Sequence, residues 1–185
     1  MTIADDKATA RKAAFQRRAQ ADPAVAETAN FHLLTAIRAL SGTCVSAYWP
    51  IRTELDPRPT LTELLPTHAL CLPVVQKAGQ PLVFRHWDPD TPMIEDAFGV
   101  FIPEPETNAV PDILVVPMAA FDAQGYRLGY GGGFYDRTLA ALRDSGTATA
   151  IGFAYEIQRC ASVPRETTDE KLDLIVTETG IHRPA

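Results

Sequence analysis

Apolar and polar positions along the chain follow two patterns, one with helical spacing and one typical of strands. Residues 5–20 are rich in Ala and predict a first helix. A second helix is predicted to begin at Asp22-Pro23, to bury a stripe that recurs every three or four residues, and to end at Ser41-Gly42. Shorter helices are predicted over residues 61–65 and 134–142, and strands over residues 43–48, 69–75, 81–87, 112–116, 147–153 and 173–177.

The order of these elements predicts the fold class. Residues 112–116 are almost continuously apolar and are followed by Pro117, which is typical of a central strand buried on both faces of a sheet. Residues 88–111 are polar and rich in proline, so we expect mostly loop there. Because strands and helices alternate without a repeat, the sequence predicts an α/β fold: a single three-layer, Rossmann-like domain over residues 1–185 with a largely parallel central sheet.

Composition narrows the class of partner. The chain has 185 residues, a net charge of −6 and a pI near 5.2, and this acidic balance argues against nucleic-acid binding. No apolar run reaches the roughly 18 residues of a membrane span, and the first residues carry no leader pattern, so we expect no membrane association and a cytoplasmic protein. Cys44, Cys71 and Cys160 lack metal-site spacing and are expected to be reduced thiols.

A glycine-rich segment carries the clearest chemical signal. Four glycines fall within residues 129–133, directly before the predicted helix that starts near Phe134. Such a segment turns backbone N–H groups inward and adds the positive end of a helix dipole, which together favour an anion. Arg127 offers a forked donor for phosphate oxygens. The segment lacks the Lys-Ser or Lys-Thr pair of a Walker A motif, and a flexible glycine-rich turn remains the alternative.

Two further groups of residues have a functional and a structural interpretation. Lys7, Arg11 and Arg18 lie within roughly 40° of one another on a helical wheel, which is typical either of a solvated surface or of a binding face. Asp136, in the first turn of the helix after the glycines, either compensates the helix dipole or holds Mg²⁺ against phosphate oxygens. His32 falls on an apolar stripe and is expected to be a satisfied core or boundary residue.

Residues 125–136, Gly-Tyr-Arg-Leu-Gly-Tyr-Gly-Gly-Gly-Phe-Tyr-Asp, resemble the signature of the 5-formyltetrahydrofolate cyclo-ligase family. Further resemblances follow in family order. They comprise the Lys-x-x-x-Arg spacing of Lys7 and Arg11, residues 48–54, residues 98–100 with Glu104-Pro105, residues 152–155 with Gln158, and residues 164–169. The family usually has His immediately before the Asp of the last segment, where this chain has Thr168. This chain therefore has no His at that position to take the role that the residue has in the family.

The resemblance implies an ATP-dependent conversion of 5-formyltetrahydrofolate, with or without a polyglutamate tail, to 5,10-methenyltetrahydrofolate. It implies a monomer or small homo-oligomer that uses Mg²⁺. It implies that Arg127 and Asp136 are catalytic and that Asp136 and Asp169 hold the metal. The residues implied for ATP are Lys7, Arg11, Arg127, Gly129, Tyr130, Gly131, Gly132, Gly133, Phe134 and Tyr135. The residues implied for the folate are Trp49, Glu54, Tyr130, Gly131, Gly132 and Tyr155; core packing remains the alternative for Trp49 and Tyr155.

Two other functions remain open from the sequence. A non-catalytic relative would keep the nucleotide site without turnover, and Thr168 is the main support for that alternative. A ligase or kinase acting on another small anion would share the phosphate site, because a phosphate cradle identifies the nucleotide more securely than its acceptor.

Overall fold

Helices and strands alternate along the chain in the computed structural model, which describes residues 2–146 and 148–185. The helices are α1 (Ile3–Arg18), α2 (Ala26–Arg38), α3 (Arg58–Leu64) and α4 (Phe134–Ser145). The strands are β1 (Cys44–Ser46), β2 (Ala69–Val74), β3 (Val83–His86), β4 (Met93–Glu95), β5 (Phe101–Pro103), β6 (Asn108–Ala109), β7 (Ile113–Val116), β8 (Ala120–Phe121), β9 (Arg127–Leu128), β10 (Thr149–Phe153), β11 (Leu174–Thr177) and β12 (Gly180–His182). Thr147, the first residue of the predicted strand 147–153, lies outside the described residues.

Eight of these strands form one sheet in the order β12-β11-β10-β7-β1-β2-β3-β6. The pairs among β11, β10, β7, β1 and β2 are parallel, and the outer strands on both sides are antiparallel. From β1 the chain proceeds through α3 to β2, and from β7 it proceeds through α4 to β10 on the opposite side. The sheet order therefore reverses direction between β1 and β7, where α/β proteins commonly bind ligands at the carboxyl ends of the strands.

Both faces of the sheet are covered, which confirms the predicted three-layer α/β fold. Strand β7 is buried throughout: Ile113 and Val115 join one core cluster, and Leu114 and Val116 join another. The first cluster includes α2 and α3 residues, and the second includes Leu139 of α4. This alternation follows from the two-residue side-chain period of a strand.

Helix α1 packs at the carboxyl ends of the parallel strands. A capping box between Thr2 and Asp5 starts the helix by satisfying the N–H groups of both residues. Ala14 is buried in a third, smaller cluster with residues that follow β7. Because this surface lies beside the loops after β7, the side chains of α1 are placed where the strand order reverses. None of the helices in the described parts of the chain has the length and apolar character needed to cross a bilayer.

Two hairpins were not predicted. Within the proline-rich stretch expected to be mostly loop, β4 and β5 pair antiparallel and β6 pairs with β3, so that expectation is wrong for these residues. Before the glycines, β8 and β9 form a second hairpin. Each of these strands has only two or three residues, and a strand that short leaves no readable alternation in the sequence.

Candidate functional site

A cavity of about 880 Å³ lies where the strand order reverses. Its floor includes Pro73 at the end of β2 and Pro117 directly after β7. The lining contains all but one of the residues that the family resemblance implies, namely Lys7, Arg11, Trp49, Glu54, Arg127, Gly129, Tyr130, Gly131, Gly132, Gly133, Phe134, Tyr135, Asp136 and Asp169. The exception is Tyr155, which is buried in the core cluster that also contains Tyr48. The fold therefore gathers residues from both ends of the chain around one cavity.

The glycine-rich segment forms one wall of this cavity. Gly131 and Gly133 have φ values of 102° and 62°, a left-handed region that favours glycine. Gly133 is also the N-cap of α4, and no side chain caps that helix. Within the described residues, the N–H groups of Gly131, Gly132 and Gly133 donate no hydrogen bond. The segment thus offers unpaired backbone donors at a helix N-terminus, the arrangement that binds anions.

Two residues of the basic face of α1, Lys7 and Arg11, line the cavity, whereas Arg18 is buried, so the face is not a solvated surface. Lys7 Nζ lies 2.7 Å from Asp169 Oδ2 and 2.8 Å from Glu166 Oε2. Arg11 donates from Nε to the Gly129 carbonyl oxygen at 2.9 Å. Burial has the largest single effect on the Lys7 pKa and lowers it, but hydrogen bonds and charges from Asp169 and Glu166 together raise that pKa above its usual value. Lys7 and Arg11 therefore line the cavity, and Lys7 remains charged.

Arg127, which precedes the glycines in the chain, is packed into the fold. It belongs to β9, and its side chain is only 4% exposed. The guanidinium lies 2.7 Å from Asp136 Oδ1 and also donates to the Glu170 carbonyl oxygen at 2.7 Å. Its donors already hold Asp136 and the segment around Glu170 in place.

A partly buried polar network connects the glycine-rich segment to the opposite wall. The Tyr130 hydroxyl donates to Glu54 Oε1 at 2.8 Å and accepts from Arg18 at 2.9 Å. Arg18 is 2% exposed and also bonds the Thr53 hydroxyl at 3.0 Å. Burial raises the pKa of Glu54, although the Ile51 N–H, Tyr130 and Arg18 counteract part of this increase. Burial and the Glu54 charge raise the pKa of Tyr130 to about 12. Sequence reasoning placed Arg18 on the basic face but assigned it no role in the site.

The far half of the cavity is apolar and aromatic. Trp49 lies in edge contact with Trp87, with ring centroids 6.3 Å apart, and beside Phe101 at 6.2 Å. Arg58 covers the Trp49 ring at 4.7 Å. Phe101 belongs to the unpredicted β4–β5 hairpin, and Phe98, which is largely exposed, lies in the turn of that hairpin. A flat, partly apolar ligand fits this half, whereas an anion fits the glycine-rich half.

The two carboxylates predicted to bind Mg²⁺ both line the cavity, but they differ in whether an oxygen atom is left without a hydrogen-bond partner. Asp136 accepts hydrogen bonds from Arg127 and from the Glu170 N–H, both at Oδ1, and Oδ2 has no partner among the described residues. Asp169 is engaged at both oxygens by Lys7 and at Oδ2 by the Glu166 N–H. Mg²⁺ is commonly held by one or two carboxylates together with phosphates, so the residues fit the ion and Asp136 is the better ligand.

His32 lies outside this site. One of its ring nitrogens lies 2.9 Å from the Thr177 carbonyl oxygen, so the side chain is satisfied, as predicted.

Comparison with known proteins connects this site to a family. Residues 4–178 match the 5-formyltetrahydrofolate cyclo-ligase family. The 5-formyltetrahydrofolate cyclo-ligase of Haemophilus influenzae is 33% identical over 153 residues, which cover 78% of this chain and 81% of the relative. The enzyme of the same name from Escherichia coli K12 is 31% identical over 145 residues, covering 74% and 79%.

Solved structures agree with this assignment. The Aquifex aeolicus 5,10-methenyltetrahydrofolate synthetase aligns with a TM-score of 0.77 and 28% identity, covering 96% of this chain and 92% of that protein. The Mycoplasma pneumoniae synthetase aligns with a TM-score of 0.74 over 94% and 99% of the two chains, and at 22% identity it shows the shared fold alone. The family match spans nearly the whole chain and includes every element that forms the cavity. The chain therefore belongs to the 5-formyltetrahydrofolate cyclo-ligase family, whose members are ligases.

Proposed function

We propose that this protein converts 5-formyltetrahydrofolate to 5,10-methenyltetrahydrofolate at the expense of ATP, releasing ADP and phosphate. The observation that carries the proposal is the two-part cavity: unpaired N–H groups of the glycine-rich segment at one end, and an aromatic wall with a buried carboxylate at the other. One end suits a triphosphate and the other a flat, hydrogen-bonding heterocycle. The names of the relatives support the folate substrate and its methenyl product.

At the phosphate end, the N–H groups of Gly131 to Gly133 and the N-terminus of α4 bind the ATP phosphates. Lys7 and Arg11 add positive charge from α1, and Arg127 acts mainly by positioning Asp136. Asp136 Oδ2 holds Mg²⁺, with Asp169 as a second ligand. Bound Mg²⁺ supplies neutralisation of phosphate charge.

At the folate end, Trp49 provides a face for the pterin ring, and Glu54 accepts hydrogen bonds from its N–H groups. Tyr130, Gly131 and Gly132 lie between the two ends and contact both substrates. Tyr155 has no part in the proposal because the structure buries its side chain in the core.

Chemistry in such a cavity requires no protein nucleophile. The oxygen of the formyl group carried by N5 attacks the γ-phosphorus of ATP. The bond from that phosphorus to the oxygen that bridges it to ADP breaks. N10 then attacks the activated formyl carbon and loses its proton, and the carbon–oxygen bond breaks to release phosphate. The protein contributes positioning and charge stabilisation, which fits a lining of arginine, lysine, carboxylates and backbone N–H groups.

The test is an assay with purified protein, MgATP and 5-formyltetrahydrofolate that follows the near-ultraviolet chromophore of the methenyl product. We expect product only when all three components are present. Chromophore formation without ATP would contradict phosphoryl activation. ATP binding without consumption would identify a non-catalytic relative, and ATP hydrolysis independent of the folate would identify a ligase or kinase with another acceptor.

A further inference from the structure

The positive charges around the glycine-rich segment are unequally neutralised. Four cationic side chains of the described residues line the cavity: Lys7, Arg11, Arg127 and Arg137. Lys7 is paired with Asp169 and Glu166, and Arg127 is paired with Asp136. Within the described chain, Arg11 and Arg137 form no ion pair with a carboxylate. These two arginines therefore carry the positive charge that remains available to a ligand.

Arg11 and Arg137 are held instead by carbonyl groups of the glycine-rich segment. Arg11 Nε donates to the Gly129 oxygen at 2.9 Å, and an Arg137 terminal nitrogen donates to the Gly132 oxygen. Arg137 Nε is buried and has no hydrogen-bond partner in the described residues. A guanidinium has five N–H donors, so one carbonyl leaves most of the donors of Arg137 unused.

Two glycines provide the space for these guanidinium groups. A Cβ added at Gly131 would lie 3.2 Å from Arg11 Cζ, and one added at Gly133 would lie 2.8 Å from an Arg137 nitrogen. Both glycines also have positive φ. The Arg137 guanidinium further packs over the Phe134 ring, with Cζ 5.5 Å from the ring centroid. The two arginines thus pack against the same segment whose free N–H groups form the anion cradle.

We propose that Arg137 contacts the phosphates of the nucleotide and, together with Arg11, clamps them against the glycine-rich segment. The inference rests on the proposed use of ATP. The Gly132 carbonyl and the Phe134 ring pre-position the guanidinium, so little side-chain entropy is lost when phosphate binds. A cation placed in this way stabilises charge on the transferring phosphoryl group without reorganisation. Arg137, which sequence reasoning did not select, is thereby a catalytic residue, whereas Arg127 acts through Asp136.

The alternative is that Arg137 only braces the Gly132 carbonyl, and the Arg137→Gln and Arg137→Lys variants separate the two roles. We expect Arg137→Gln to lower kcat/KM for ATP by about 100-fold, as removal of one preorganised charge donor does elsewhere. The folate KM should change by less than about twofold, and Arg137→Lys should recover part of the loss because the charge is retained without the fork. Arg38→Gln, an equal charge change at an exposed residue of α2, is the control and should match wild type.

Calorimetric binding of inorganic triphosphate to wild type and to each variant gives a readout that does not require turnover. We expect Arg137→Gln to weaken this binding at least about tenfold, consistent with loss of a charge-assisted hydrogen bond. Wild-type triphosphate affinity and kcat/KM in Arg137→Gln would overturn the inference. Equal losses for ATP and folate with a lowered melting temperature would also overturn it in favour of a brace. If wild type binds triphosphate through Arg137 but forms no methenyl product, the proposed function fails and the phosphate contact stands.

Discussion

Asp136 has a structural task in the folded protein in addition to the metal-binding task proposed for it. Its Oδ1 neutralises Arg127, which is almost fully buried, and accepts the Glu170 N–H. Its Oδ2 has no partner within the described residues and lines the cavity. A carboxylate beside a triphosphate would repel it unless a divalent cation lies between them. The sequence indicated this cation-binding task but not the ion pair, because nothing in the spacing of residues 127 and 136 requires their side chains to meet.

We expect Asp136→Asn to lower turnover at least about 100-fold and to abolish the normal Mg²⁺ dependence. The melting temperature should fall as well, because the variant leaves Arg127 buried beside an uncharged amide; the cost is about 1–3 kcal/mol, reduced from the fully buried case by the partial exposure of Asp136. Turnover across a Mg²⁺ titration and a melting curve measure the two effects.

Asp144→Asn, which makes the same charge change at an exposed position of α4, is the control and should alter neither quantity. In the double variant Arg127→Gln/Asp136→Asn, stability should partly recover while turnover stays low. Wild-type turnover with unchanged metal dependence in Asp136→Asn would refute the metal role.

At the scale of elements, the sequence predicts the longer helices and strands and misses the shortest strands. The spans of α1, α2 and α4 and the parallel strands β1, β2, β7, β10 and β11 agree with the predicted elements within a few residues. Helices α2 and α4 and these strands bury apolar residues in the two large clusters, whereas α1 was predicted from its Ala-rich composition. The hairpins β4–β5 and β8–β9 were missed because their strands are too short to show a period. These hairpins carry Phe101 and Arg127 into the cavity, so the contacts of these two side chains were missed with them. Arg18 and Arg137 were missed although they lie on predicted helices, because the sequence does not show which tertiary partners a helical side chain meets.

Glu54 connects two distant parts of the chain to its own segment. It accepts a hydrogen bond from Tyr130 of the glycine-rich segment and forms an ion pair with Arg18 of α1. Burial raises its pKa, so the folded protein binds this proton more tightly than the unfolded chain does. The resulting stabilisation is complete below the unfolded pKa near 4.5 and is lost as pH rises through the folded pKa. Glu54→Gln does not titrate. We therefore expect the melting temperature of wild type minus that of Glu54→Gln to decrease as pH rises from about 4.5 toward 8.

The same variant should raise the folate KM about tenfold or more, as loss of a hydrogen bond to a charged group costs about 1.5–3 kcal/mol, while the ATP KM changes little. Glu63→Gln, at an exposed position of α3, is the matched control and should show neither effect. If this melting-temperature difference increased with pH instead, hydrogen bonds and neighbouring charges, and not burial, would dominate the pKa of Glu54.

At the scale of the whole molecule, the cavity unites the two ends of the sequence. Lys7, near the start of the chain, forms ion pairs with Glu166 and Asp169, which lie more than 150 positions later. The glycine-rich segment and Trp49 belong to the intervening chain. A ligand in this cavity therefore contacts parts of the protein that only the complete fold brings together, and its binding free energy should stabilise the chain as one unit.

We expect MgATP at about 100 times its dissociation constant to add about 2.7 kcal/mol to the free energy of unfolding, and hence to raise the melting temperature by about 5–10 °C in a single transition. Mg²⁺ without nucleotide is the reference, because it isolates the contribution of the nucleotide from that of the metal. Lys7→Met removes the link between α1 and the Glu166–Asp169 segment and one phosphate-facing charge, so its MgATP shift should be much smaller. Two transitions, of which MgATP moves only one, would show that residues 1–185 do not fold as one domain. A full shift in Lys7→Met would show instead that Lys7 contributes no binding energy to the nucleotide, leaving the glycine-rich segment with Arg11 and Arg137 to hold the phosphates.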